Sequence, residues 1–280
     1  MSWRIESDEQ NVIQTAYHIL VASSPELLEQ GKGDIWDSGK IESDASQWIT
    51  YQGKTLKCNA SYYWKVKIDT NKGATNWSAP AFWTTGLFNE ADWQGQWIGL
   101  DRAAPGDSET QWSRLAARYL RKEFAVKKSV KRATVHIAGM GLYELFINGQ
   151  RIGNQVLAPA PTDYRKTILY NTYDVTSLLQ TENAIGVTLG NGRFYTMRQN
   201  YKPYKIPTFG YPKLRLNLIV EYADGSKETI ATNTSWKLTT EGPIRSNNEY
   251  DGEEYDARKE LGAWTQTGYD SLLYTTDAAD

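Results

Sequence analysis

The residues of this sequence that are best suited to chemistry are concentrated in one stretch, residues 242–258. The apolar pattern there fits neither a helix nor an alternating strand, and Gly242-Pro243 and Asp251-Gly252 are turn dipeptides. We therefore predict an ordered loop supported by the β-rich chain before it, since loops on rigid scaffolds collect recognition groups. Its five carboxylates, two tyrosines and two arginines are Glu249, Asp251, Glu253, Glu254, Asp256, Tyr250, Tyr255, Arg245 and Arg258.

Four uses of this stretch compete. Two carboxylates that flank a sugar suit glycoside hydrolysis, but adjacent loop carboxylates seldom face each other across a bond. A carboxylate cluster suits Ca²⁺, which takes about six to eight oxygen ligands, but the spacing of an EF-hand is absent. Spacing alone favours a salt-bridged structural loop, in which Arg245 and Arg258 pair with the acids. Sugar or partner contact is the next alternative, followed by calcium and then catalysis.

Two further loops, 158–166 and 191–195, combine charged groups with aromatic rings. The first is stiffened by prolines, and the second follows a strand that we expect to be buried. Rings beside fixed hydrogen-bonding groups suit a saccharide, although packing of the rings in a core or an interface explains them equally well. The candidate residues in these loops are Asp163, Tyr164, Arg193 and Tyr195.

Composition narrows the classes of protein. The chain has 280 residues, of which 40% are hydrophobic, so it can bury sizeable cores and is not disordered. A formal charge of −2 and the absence of a basic stripe argue against nucleic-acid binding. Cys58 is the single cysteine and cannot form an internal disulfide. No run of 18 apolar residues occurs, so no membrane span is predicted.

The first 90 residues are typical of a small antiparallel sandwich. Residues 61–69 alternate, which places Tyr62, Trp64, Val66 and Ile68 on one face of a half-buried strand. Together with Asn76-Trp77-Ser78 and Thr85-Gly86, these residues make the segment resemble a fibronectin type III domain.

The remainder, 91–270, predicts a second antiparallel sandwich of jelly-roll type. Alternating or apolar runs cover residues 131–138, 183–190 and 214–222, with turns at Asn148-Gly149 and Asp224-Gly225. No amphipathic helical array is present, and helices are limited to single turns such as the one at 25–29. Both domains are therefore expected to be all-β, and residues 271–280 to form an irregular tail.

Segment 119–258 contains several specific motif runs. They are Tyr143-x-Leu145-x-Ile147-Asn148-Gly149, Leu157-Ala158-Pro159, Thr162-Asp163-Tyr164-Arg165-Lys166, Tyr170-x-Thr172-Tyr173-Asp174-Val175-Thr176, Asn183-Ala184-Ile185-Gly186-Val187, Ile244-Arg245-Ser246 and Tyr250-Asp251-Gly252-Glu253-x-Tyr255-Asp256-Ala257-Arg258. Together they make the second segment resemble the N-terminal β-sandwich domain of bacterial α-L-rhamnosidases, glycoside hydrolase family 78. Two positions depart from the family pattern: Ala160-Pro161 replaces an expected Gly-Trp, and Arg193-Phe194 replaces Trp-Tyr, which suggests altered substrate contacts.

The resemblance implies an accessory role. Family members are inverting enzymes whose catalytic carboxylates lie on an (α/α)₆ barrel, and we expect this chain to end before that barrel. The resemblance therefore implies no catalytic residue, no metal and no cofactor here, and a periplasmic or secreted location with any leader removed. The partners implied are a rhamnose-containing glycan and the catalytic domain, and the alternative is a purely structural platform. The residues expected to contact sugar are Asp163, Tyr164, Arg193, Tyr195, Tyr250, Asp251, Glu253, Glu254 and Asp256.

Overall fold

A computed structural model describes residues 1–101, 115–195, 208–249, 252–269, 274–275 and 277–278. The chain divides into two compact units, Met1–Phe88 and Asn89–Asp280. The strands pair antiparallel throughout, which confirms the predicted all-β class. Helical structure in the described part of the chain consists of one five-residue helix and three short 3-10 turns. None of these helices is long and apolar enough to cross a membrane.

The first unit is built on one five-stranded sheet with the order β2-β1-β3-β4, and β5 also pairs with β3. Extended chain segments lie over its inner face, where the Trp3 amide donates to the Ser46 carbonyl and the Ile49 amide to the Met1 carbonyl. Its elements are β1 (Gln14–Ala22), α1 (Pro25–Glu29), β2 (Trp36–Glu42), β3 (Ser61–Thr70), β4 (Gly73–Ala74) and β5 (Ala81–Thr84).

The alternation predicted for β3 explains the core of this unit. Tyr62, Val66 and Ile68 are buried in one cluster, and the half-buried Trp64 packs against it. The opposite face is covered by α1, which starts at the Ser24 cap and buries Leu28.

The second unit is a sandwich of two six-stranded sheets. One has the order β10-β9-β12-β7-β15-β18; the other has the order β11-β8-β13-β6-β19, with β14 paired to β13. The strands are β6 (Ile98–Gly99), β7 (Arg118–Ala125), β8 (Val130–Met140), β9 (Leu142–Ile147), β10 (Gln150–Ile152), β11 (Tyr170–Asp174), β12 (Glu182–Gly190), β13 (Lys213–Tyr222), β14 (Lys227–Ala231), β15 (Lys237–Thr239), β16 (Ile244–Asn248), β17 (Gly252–Tyr255), β18 (Tyr274–Thr275) and β19 (Asp277–Ala278).

The core of the sandwich lies between these sheets, because inward-facing aliphatic residues alternate along the central strands. The predicted turn at Asn148-Gly149 is present between β9 and β10, and both residues adopt positive φ, 51° and 84°. That backbone matches the two-residue hairpin turns that asparagine and glycine favour. Among the buried core residues are Val135, Ile137, Leu216 and Leu218 from one sheet and Leu145, Ile147, Ile185 and Val187 from the other.

Two local predictions differ from the structure. The stretch 242–258 is predicted to be an ordered loop, but it contains β16 and β17, which pair as an antiparallel hairpin with a register shift between Ile244 and Ser246. That irregularity removes the clean alternation by which a strand is recognised. The segment after residue 270 is also not wholly irregular, because β18 pairs with β15 and β19 with β6.

Candidate functional site

The hairpin β16–β17 is anchored at its base on Tyr119 of β7. The Ile244 amide donates to the Tyr119 hydroxyl at 3.2 Å, and the Ala117 amide donates to the Ile244 carbonyl at 3.1 Å. A Cβ at Gly242 would lie 2.2 Å from the Tyr119 ring, so only glycine permits this approach. Burial raises the pKa of Tyr119 to about 12, so its hydroxyl stays protonated at neutral pH.

The far end of the hairpin is bonded to the loop that follows β12. The Asn191 amide donates to the Asn247 Oδ1 at 2.6 Å, and Asn191 Nδ2 donates to the Asn247 carbonyl at 2.8 Å. Both side-chain amides also donate to the Leu115 carbonyl. Three segments far apart in the sequence are thereby held at one edge of the sandwich.

This network places Arg193 against Glu249 in an ion pair. The Tyr164 ring packs edge-on against Phe194 at 5.2 Å and Phe209 at 5.4 Å, which joins the 158–166 loop to the same edge. Burial raises the pKa of Tyr164, with the Glu249 charge adding to the effect. Its hydroxyl is buried and has no hydrogen-bond partner among the described residues. We call the surface formed by Tyr164, Arg193 and Glu249 the polar edge.

Other predicted residues have structural roles in the described chain. The Tyr195 ring is buried and stacks on Tyr211 at 5.9 Å, so it supports the loop instead of offering a ring face to a ligand. Asp163 accepts from the Arg165 side chain at 2.9 Å, and this bond lowers the pKa of Asp163. The structure thus brings Tyr164 and Arg193 to the same edge, whereas the Asp163 carboxylate is bonded to Arg165 within its own loop.

The described acids of the hairpin lie in different surroundings. Glu253 and Glu254 lie on the exposed strand β17, and Asp256 pairs with Arg258 at 2.8 Å. That hydrogen bond lowers the pKa of Asp256 to about 2. Among the described residues, Arg245 donates to the carbonyls of Thr240 and Gly242 and is in none of the ion pairs with the hairpin acids. Tyr250 and Asp251 lie outside the described residues.

The carboxylates of the described residues show no sign of a general acid. Every carboxyl group with a resolved shift has a lowered pKa, whereas the acid of a glycosidase needs a raised one. Among the described residues, no group of three or more His, Cys, Asp and Glu side chains is arranged to hold a metal ion. The polar edge offers an arginine and a carboxylate that can form hydrogen bonds to a ligand.

The sequence did not predict the roles of Asn191, Asn247 and Phe209. Asn191 and Asn247 are 56 residues apart, and no local pattern indicates that two such positions meet. The local signal that could have indicated these contacts was an asparagine, Asn191, directly after a buried strand.

Two family models match the chain. The α-L-rhamnosidase N-terminal domain matches residues 128–278, and the Rha78A-like N-terminal immunoglobulin domain matches residues 1–89. The first match covers more than half of the 280 residues, so the chain belongs to the α-L-rhamnosidase N-terminal domain family and corresponds to the N-terminal region of family 78 glycoside hydrolases. The predicted resemblance is confirmed, and the first domain is immunoglobulin-like.

Curated relatives named α-L-rhamnosidase align along nearly all of the chain. One from Formosa agariphila is 39% identical over 96% of this chain and 30% of its own length. Another from Alteromonas sp. is 34% identical over 100% of this chain and 30% of its own length. The chain therefore spans less than a third of the length of these relatives.

Solved structures of α-L-rhamnosidases share the fold. The structure from Dictyoglumus thermophilum has a TM-score of 0.89 and 40% identity, and the one from Aspergillus terreus has 0.85 and 33%. Each match covers 100% of this chain and 31% of the solved chain. A Streptomyces avermitilis α-L-rhamnosidase complexed with L-rhamnose has a TM-score of 0.85 at 24% identity, which shows the fold alone.

Proposed function

We propose that this chain is a non-catalytic accessory region of an α-L-rhamnosidase-type glycoside hydrolase that contributes to recognition of a rhamnose-containing glycan. The observation that carries the proposal is the Arg193–Glu249 pair, which joins two of the three predicted loops at the polar edge. The third loop reaches the same edge through Tyr164, next to Phe194. Relatives that bear the name α-L-rhamnosidase supply the class of substrate.

The chemistry of the polar edge fits sugar hydroxyl groups. An arginine donates several hydrogen bonds and a carboxylate accepts them, so a paired Arg193 and Glu249 can each exchange a bond with a diol. Both side chains are partly exposed, at 41% and 32%.

Titration of the purified chain with L-rhamnose and a rhamnosylated oligosaccharide, followed by tryptophan fluorescence, tests the proposal. We expect weak binding of the oligosaccharide and no release of rhamnose from the same sample. Arg193→Met should weaken binding about tenfold or more, because a hydrogen bond to a charged group is lost.

A matched control is Arg151→Met. Arg151 is paired with Glu144 at 3.0 Å and is similarly exposed, but it lies on β10, and we expect unchanged binding. Equal losses in both variants, or no binding by the parent chain, would contradict recognition at the polar edge. Release of rhamnose would overturn the non-catalytic assignment.

A structural platform is the second candidate, and exposed apolar side chains favour it. Val156 and Leu157 are 78% and 73% exposed, and Leu169 is 42% exposed. Leu169 directly precedes the edge strand β11, and the Gln155 side chain next to Val156 accepts from the Tyr173 hydroxyl of β11 at 3.2 Å. An uncovered apolar surface there is unusual for a protein that acts alone. In this alternative the surface packs against the remaining part of a longer protein and no sugar binds.

A further inference from the structure

A cleft of about 290 Å³ opens on the outer face of the β11-β8-β13 sheet, next to the polar edge. Its floor is Ala138 of β8, which pairs in register with Arg215 of β13 on one side and Tyr170 of β11 on the other. Paired side chains on one sheet face are nearest neighbours, so a small residue between two large ones leaves a depression. Trp93 and Trp97 form part of its wall.

Arg215 is a largely buried charged group that lines this cleft. Its guanidinium lies 5.1 Å from the Trp93 ring and 6.0 Å from the Trp97 ring, and only 12% of the side chain is exposed. Nε donates to the Gly95 carbonyl at 2.6 Å, and Nη1 is paired with Glu90. Neither of these two contacts uses Nη2.

The charges around the cleft favour an anion. The Glu90 side chain that pairs with Arg215 is 81% exposed. Its carboxylate can therefore move away from Arg215 and be hydrated by solvent. Lys166 also lines the cleft and is 80% exposed, and its Nζ lies 3.7 Å from Asp163. A planar guanidinium that has lost most of its water binds a carboxylate better than it binds a hydroxyl group.

We propose that this cleft is a subsite for one acidic sugar unit. The carboxylate of a uronate meets the Arg215 guanidinium and Lys166, and the sugar ring lies against Trp93, Trp97 and Tyr170. The volume is at the lower end of the range for ligand pockets, which suits a single ring rather than a buried chain. The inference rests on the proposed role in glycan recognition. The cleft shares Tyr164 with the polar edge, but Arg193 and Glu249 do not line it.

Titration of the full chain with digalacturonate, and separately with the neutral disaccharide cellobiose, tests the subsite. We expect digalacturonate to quench tryptophan fluorescence with an affinity that falls as salt is added, and cellobiose to bind at least about tenfold more weakly. No binding of digalacturonate, or equal binding of the two disaccharides, would overturn the proposal.

Two charge variants are expected to act in opposite directions. Glu90→Gln removes the carboxylate that competes for Arg215 and should tighten digalacturonate binding, whereas Lys166→Gln should weaken it about two- to fivefold. Lys227→Gln is the control, since this exposed lysine lies on β14 away from the cleft, and it should change nothing. A merely structural role for these groups does not produce changes of opposite sign. Equal affinities of all three variants for digalacturonate would therefore contradict the proposal.

A steric variant separates this subsite from the polar edge. Ala138→Leu fills the floor of the cleft and should abolish digalacturonate binding while leaving the rhamnosylated oligosaccharide bound. Arg193→Met should do the reverse. If Ala138→Leu keeps full affinity for digalacturonate, the uronate does not bind in this cleft.

Discussion

At the scale of single residues, burial of His136 makes the stability of the fold depend on pH. His136 lies on β8 and is fully buried, with Nδ1 2.9 Å from the Thr172 hydroxyl oxygen on β11. Burial lowers the pKa of His136 from 6.5 to about 4, and the nearby Arg132 charge acts in the same direction. The folded protein therefore prefers the neutral ring.

Because the folded pKa lies below the unfolded one, the unfolded chain binds the proton first as pH falls. The neutral His136 ring contributes to the free energy of unfolding above about pH 6.5. This contribution, at most about 3 kcal/mol, is lost as pH falls towards 4. Urea unfolding of the parent and of His136→Asn between pH 7 and pH 4 measures this loss. Carboxylates titrate in both proteins, so the difference between them isolates the histidine, and parallel pH profiles would refute the assignment.

At the scale of elements, the hairpin β16–β17 depends on the approach of Gly242 to the Tyr119 ring. A methyl group at this position would overlap a buried aromatic ring, which should cost about 1–3 kcal/mol and lift the base of the hairpin. For Gly242→Ala we therefore expect faster hydrogen exchange at the Ile244 and Ala117 amides, which bond across this junction.

Gly252→Ala is the comparison for this prediction. Gly252 has a φ of 80°, and a Cβ added there would have no atom within 4 Å, so alanine brings backbone strain without a clash. We expect a cost of about 1–2 kcal/mol and unchanged exchange at Ala117. If Gly242→Ala leaves both amides protected, packing on Tyr119 does not anchor the hairpin.

At the scale of the whole molecule, the question is whether the apolar surface beside β11 binds another protein surface. If the platform alternative is right, the chain should self-associate with rising concentration in sedimentation velocity, because Val156 and Leu157 stay exposed. The double variant Val156→Ser/Leu157→Ser should be monomeric. Trp48→Ser in the first unit is the control, since Trp48 is 89% exposed and should not alter association. A parent chain that stays monomeric at all concentrations would count against the platform.

Local patterns in the sequence were sufficient to predict the fold class and the Asn148-Gly149 turn, and the resemblance of the motif runs indicated the family. Alternation in β3 and the Asn148-Gly149 turn depend on energies that act between near neighbours. Two of the ion pairs that hold predicted site residues, Asp163–Arg165 and Asp256–Arg258, are also local and join residues two positions apart.

Which distant residues meet depends on the tertiary structure. Arg193 and Glu249 are 56 residues apart, and Arg215, Ala138 and Tyr170 become neighbours through the order and register of three strands. Strand order and register follow from burial of the whole sheet face, which no local propensity encodes. The alternation of β8 places His136 on the polar side, yet it is buried. The chain around Asp92 and Gly95 lies against this part of the sheet, where both residues bond to Asn217, the β13 partner of His136.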